Sequence, residues 1–150
     1  MELLLFRHAE AENNAATDLA RRLTPEGVEH AWRVGQALAS RGLRPDLVVT
    51  SHAERARTTW EQAAKAGFAA GPPKVLVDEE LWEESPEAHA RVVARHGAGV
   101  ARLCLVGHEP GYSRYTKQLL GHAVGLHRGT VARIKIGPDG KGKLLEIVDA

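Results

Sequence analysis

Three polar clusters, far apart in the chain, carry side chains that together can handle a phosphoryl group. Arg7-His8 ends one short apolar run, Ser51-His52 with Arg55 a second, and Gly107-His108-Glu109 a third, while a string of acids from Asp78 to Glu84 follows a fourth. A guanidinium fork grips two phosphate oxygens at once, so two arginines and a histidine would surround the equatorial oxygens over which transition-state charge spreads. A neutral imidazole held among them is a competent nucleophile toward phosphorus, splitting one hard transfer into two easier steps. The neighbouring cations help twice, repelling a proton from that imidazole and attracting the incoming dianion. The chain total agrees: of 20 basic residues fourteen are arginine, beside eight histidines, and arginine is the residue suited to two-pronged anion recognition.

These clusters need elements to bring them together. Glu2 to Phe6 reads as a short buried strand. Thr24 is a natural N-cap with Pro25 at the first helical position, and Val28, Ala31, Trp32, Gly35, Leu38 and Ala39 then mark one face of a helix ending near Gly42. Leu47 to Val49 is a second strand, followed by an alanine-rich helix from Ala53 to Ala66 closed by Gly67. Lys74 to Val77 is a third strand, Ser85 opens a helix to His96, Ala101 to Val106 is a fourth strand, and a helix runs from Pro110 to Gly121. Thr130 to Ile136 and Lys143 to Val148 form an antiparallel hairpin around Pro138-Asp139-Gly140. This alternation predicts an α/β fold: a three-layer α/β/α sandwich with a mostly parallel central sheet and a C-terminal antiparallel hairpin. In such sheets ligands sit at the carboxyl ends of the strands, and there the histidines and arginines fall.

Composition narrows the class. At 150 residues the chain suits a single domain spanning 1–150. Charge is balanced, 20 basic against 19 acidic residues, which argues against a nucleic-acid binder held by bulk charge. No apolar run is long enough for a membrane span and no signal peptide is visible, so the expectation is a soluble, cytoplasmic protein without nucleic-acid or membrane partners. Cys104, alone in an apolar run, reads as a buried hydrophobe. No His-x-x-x-His pair is present and Arg7 beside His8 repels a cation, so neither metal nor cofactor is expected.

Four motifs in order, Arg7-His8-Ala9-Glu10, Arg21-x-Leu23-Thr24-x-x-Gly27, Ser51-x-x-x-Arg55-Ala56-x-x-Thr59 and Val106-Gly107-His108-Glu109-Pro110, resemble those of the histidine phosphatase superfamily, with its phosphoglycerate-mutase-like fold. Length and the Gly-His-Glu-Pro form resemble its small SixA-type phosphohistidine phosphatase branch. Ala9 stands where the family has glycine. The resemblance implies that His8 accepts the phosphoryl group, that Arg7 and Arg55 clamp it, and that His108 contacts it as a second histidine. Arg21 would be a further phosphate ligand, with Arg22 competing for the role, and Asn14 falls where larger relatives place a phosphate-contacting asparagine. Glu83 matches the position of the larger members' general acid, although Asp78, Glu79, Glu80 and Glu84 compete on spacing. The implied activity is metal-independent hydrolysis of phosphohistidine on a protein, a histidine phosphotransfer domain among the candidates. The alternatives are a phosphatase for small phosphorylated metabolites, such as sugar or nucleotide phosphates, and a non-catalytic phosphate-binding module. The stretch from Arg55 to His108 is filled by regular elements and leaves no insertion for a lid, which favours a bulky substrate.

Plainer roles fall to the remaining residues. His52 reads as a rim residue, Trp32 and Trp60 as core, and Trp82 as either packing or site lining. His89, His96, His122 and His127 have no motif neighbours and read as solvated or capping.

Overall fold

Runs of leucine and valine alternate with amphipathic stripes, and in the computed structural model, which describes residues 1–150, they become six strands and four α-helices. In chain order these are β1 (Glu2–Arg7), α1 (Pro25–Ser40), β2 (Leu47–Thr50), α2 (Glu54–Ala64), β3 (Lys74–Val77), α3 (Pro86–Gly97), β4 (Arg102–Gly107), α4 (Gly111–Leu120), β5 (Val131–Ile136) and β6 (Gly142–Val148). The strand order is β3-β2-β4-β1-β5-β6. The first four strands by number run parallel, β5 is antiparallel to β1, and β6 is antiparallel to β5.

Leu3 to Phe6 of β1 are wholly buried because the strand sits inside the sheet with helices on both faces. Leu4 and Phe6 meet Val34 and Leu38 of α1 and Trp60 of α2. Leu3 and Leu5 meet Val92 of α3 and Tyr112 and Tyr115 of α4. Truncating such a leucine to alanine costs about 2–5 kcal/mol, so this strand is a rigid platform for whatever follows it. Helix α1 starts as its sequence dictates, with the Thr24 hydroxyl accepting from the Gly27 amide. Two glycines allow close approaches. A Cβ on Gly35 would collide with the Ala63 backbone of α2, and one on Gly27 would collide with the Glu10 backbone, two residues past His8. The glycine of the second motif is therefore a spacing device that lets α1 press against the loop after β1.

Two sequence expectations are corrected. Val28 and Trp32 are exposed, because the buried face of α1 is centred on Ala31, Val34 and Leu38 and these two lie to its side. His89 is not solvated but fully buried: it shares the apolar stripe of α3 with Ala88 and Val92 and lies against Tyr112 and Tyr115. Its Nδ1 donates to the Ser85 carbonyl at 2.9 Å. Cys104 and Trp60 are core, as expected. No helix is long and apolar enough to cross a membrane.

Candidate active site

Parallel pairing puts the motif residues at one level. Arg7 lies opposite Gly107 and Thr50 opposite Val106, so His8, Ser51 and His108 each step off a neighbouring strand end. The ladder runs one residue further, with the His8 amide donating to the Gly107 carbonyl at 3.0 Å and the Ser51 amide to the Val106 carbonyl at 2.9 Å. The His8 and His108 ring centroids consequently stand 5.3 Å apart. Residues forty and more apart in sequence converge because consecutive βα units return each strand in the same direction.

Hydrogen bonding sets the His8 tautomer. Its Nδ1 lies 2.7 Å from the Ala9 carbonyl, which can only accept, so Nδ1 carries the proton and Nε2 keeps its lone pair. Burial, and then the cations Arg55, Arg7 and Arg21, push the His8 pKa down to about 4, against the pull of the Ala9 carbonyl. The imidazole is therefore neutral at pH 7. The Arg55 Nε points at the free Nε2 from 3.4 Å. Helix α2 holds both partners in place, since the Thr59 hydroxyl accepts from the Ala9 amide at 2.9 Å and donates to the Arg55 carbonyl at 2.7 Å. That bridge is the physical content of the Arg55-Ala56-x-x-Thr59 spacing.

His108 is neutral for similar reasons. Burial first, then the neighbouring His8 and Arg55, push its pKa down to about 3. Its Nε2 pairs with the Ser51 hydroxyl at 2.9 Å, and the indole of Trp82 meets its ring edge-on at 5.1 Å. Arg55 lies over the same indole, Cζ to centroid 5.2 Å. Arg7 donates through Nη1 to the Leu126 carbonyl at 2.7 Å, and its Nε is buried with no partner. Burial lowers the pKa of both Arg7 and Arg55.

A cleft of about 200 Å³ opens here, lined by Asp18, Arg55, Trp82, Glu83, Glu84, His108, Glu109 and Gly111. The acidic string divides. Asp78 turns to Arg95 and His96, and Glu80 to Arg91 and Arg95, whereas Glu83 and Glu84 face the cleft. The Glu83 side chain is 57% exposed and stands 3.6 Å from Arg91. Arg21 is anchored near the mouth by the Glu12 carbonyl at 2.8 Å and by Asp18 at 3.2 Å. Arg22 points elsewhere, toward Glu54 at 3.7 Å. Asn14 is exposed, makes no side-chain hydrogen bond, and is not among the lining residues. His52 meets the Trp82 edge at 5.9 Å on the rim. No group of three or more His, Cys, Asp or Glu is placed to hold a metal ion.

Asp18 escaped sequence reasoning, and Glu109, named within its motif, was given no role there. Asp18 contacts Arg21 and Arg55 together, and its spacing of three from Arg21 was the available signal. Glu109 accepts from the Ser113 amide at 2.7 Å, the Ser113 hydroxyl at 2.8 Å and the Leu126 amide at 2.8 Å, so it ties the start of α4 to the residue that receives Arg7.

Comparison with known proteins fits this geometry. Residues 3–86 match the model of the histidine phosphatase superfamily, branch 1, a stretch that includes Arg7, His8, Arg21, Arg55 and Glu83. An uncharacterized protein of Picosynechococcus sp. is 30% identical over 155 residues, covering 91% of this chain and 86% of the relative. A solved structure of the protein histidine phosphatase SixA complexed with tungstate superposes with TM-score 0.86 at 22% identity, covering 99% of this chain and 97% of that one. The alpha-ribazole phosphatase from Shigella flexneri has TM-score 0.77 at 18% identity, covering 100% and 96%. The last two show a shared fold; the family match and the first relative show descent. The chain belongs to branch 1 of the histidine phosphatase superfamily, has the fold of the SixA-type phosphohistidine phosphatases, and is a hydrolase of phosphoric groups.

Proposed function

We propose that this protein hydrolyses phosphohistidine on a protein through a covalent intermediate on His8. The observation that carries the reading is the neutral His8 with its lone pair on Nε2 facing Arg55, a residue that lines, with His108, a cleft of only about 200 Å³. Small-molecule sites usually measure about 300–1,000 Å³. A phosphorylated imidazole presented by another protein needs less room than a sugar or nucleotide phosphate.

In the first step Nε2 of His8 attacks phosphorus, forming a P–N bond as the bond to the leaving imidazole nitrogen breaks. Arg7, Arg55, Arg21 and His108 hold the equatorial oxygens, their donors already placed before charge develops. The departing imidazole takes a proton from water or from Glu83, and being a weak base it needs less help than an alkoxide. Water then attacks the phosphorylated His8, releasing inorganic phosphate and restoring the free imidazole. Because His8 stays unprotonated until pH falls toward about 4, the nucleophile is ready throughout the physiological range.

A second reading, a phosphatase for small phosphate esters, draws on Glu83 in the cleft lining, where a general acid would serve an alkoxide leaving group. Side-by-side turnover of a phosphohistidine-bearing protein and a panel of sugar and nucleotide phosphates decides between them. The phosphohistidine protein is expected to be turned over faster. Rapid ester hydrolysis with an inert phosphohistidine protein overturns the first reading.

A further inference from the structure

The cleft already contains an anion belonging to the chain itself. Asp18 begins a short turn, Asp18–Ala20, that is capped by the Thr17 hydroxyl, and its carboxylate reaches two arginines, Arg21 and the cleft-lining Arg55. One oxygen stands 3.2 Å from Arg21 Nη1 and the other 3.5 Å from Arg55 Nη2. Separately, the Asp18 backbone carbonyl accepts from Arg55 Nη1 at 2.7 Å. The two contacts with Arg55 differ in kind. The carbonyl bond is short and fixes the guanidinium. The carboxylate contacts are longer than the roughly 2.7–2.9 Å of a strong charged pair, and the side chain is 57% exposed, free to swing into water.

Carboxylate and phosphate compete for the same N–H donors, and their like charges prevent both from occupying the arginines together. We infer that Asp18 is a resident counter-anion of the phosphoryl site: it pairs Arg21 and Arg55 in the free protein, yields to the incoming phosphoryl group, and returns to help expel inorganic phosphate. Its carbonyl keeps Arg55 aligned throughout, so displacement of the carboxylate does not disorder the clamp. Asp18 therefore sets how tightly substrate and product are held, and makes no contact with the reacting bond. The inference rests on the proposal that these arginines bind the phosphoryl group.

The test replaces Asp18 with the isosteric neutral amide. Asp18→Asn keeps the backbone carbonyl and removes the charge, and calorimetric titration with inorganic phosphate reads the effect. Losing two partly exposed ion-pair contacts predicts phosphate binding about three- to tenfold tighter, with a parallel fall in KM and stronger product inhibition. Asp18→Glu, which restores a carboxylate, is expected to bind phosphate close to the wild-type value. A merely structural role weakens binding and cannot tighten it. Unchanged or weaker phosphate binding in an Asp18→Asn protein that melts like wild type overturns the inference while leaving the site intact. If wild type itself binds no inorganic phosphate and acquires no phosphoryl group on His8, the proposal for the site fails and this inference fails with it.

Discussion

Strand β1 carries charge at both ends, and the fold treats the two ends oppositely. At its start, Glu2 is gripped by Arg133 at 2.8 Å and by Arg102 at 3.2 Å, and Arg133 also holds Glu146 at 2.8 Å. Hydrogen bonds from Arg133, helped by Arg102, hold the Glu2 pKa at about 2. At its finish, about 20 Å along a strand of this length, Arg7 and His8 crowd with Arg55, Arg21 and His108, and the Nε of Arg7 and Nδ1 of His108 are buried without partners. The residue types overlap, yet one end is a closed network and the other leaves buried nitrogens without partners and holds its arginines with one exposed carboxylate, Asp18, at 3.2 and 3.5 Å. Satisfied charge serves stability, and buried polar atoms left without partners mark where a ligand can bind.

Substitutions at the two ends should therefore separate cleanly. The largest effect belongs to the clamp: Arg55→Ala should lower kcat/KM by about 10²–10³, the usual loss for one preorganised donor. Steady-state kinetics checks this, with thermal melting to show that the fold persists. A loss of less than tenfold would place the phosphoryl group away from Arg55.

Acid separates the ends next. A histidine near 6.5 when unfolded and near 4 when folded is bound by a proton first in the unfolded chain, so stability is complete above pH 6.5 and declines as pH falls toward 4. For His8 alone the loss is on the order of 3 kcal/mol, and His108 adds to it and continues to about pH 3. The Glu2 network contributes in a lower window, present above pH 4.5 and lost as pH falls toward about 2. Melting temperature followed against pH should thus fall first between 6.5 and 4. In His8→Ala this first step should shrink while the lower one remains.

The smallest effect is expected at the paired end. Glu2→Gln should cost about 1 kcal/mol, because its partners are partly solvated, and should leave kcat/KM within about twofold of wild type. A large loss of activity would show that the two ends of β1 are coupled.

Much of this arrangement was legible in the sequence. Thr24-Pro25 and Ser85-Pro86 announce helix starts, and both hydroxyls cap as expected. Apolar runs that stop at Arg7-His8 and Gly107-His108 mark strand ends, and the rule that parallel strands deliver their ends to one edge placed the histidines together. What stayed hidden depended on tertiary distance. Asp18 lies in an exposed loop whose pairing with Arg55, on another element, no local pattern encodes. That Glu83 and Glu84 line the cleft while Asp78 and Glu80 do not reflects Arg91, Arg95 and His96 on α3, which pair with the latter two. Trp32 has apolar spacing but lies beside the buried stripe, while His89 lies on the stripe and is buried despite its polarity.

The central claim is that His8 Nε2 receives the phosphoryl group, and rapid quenching into alkali during turnover of a ³²P-labelled phosphohistidine protein tests it most directly. The account predicts an alkali-stable, acid-labile label on the peptide carrying His8, absent from His8→Ala. No trapped label, or one that persists in His8→Ala, would contradict it.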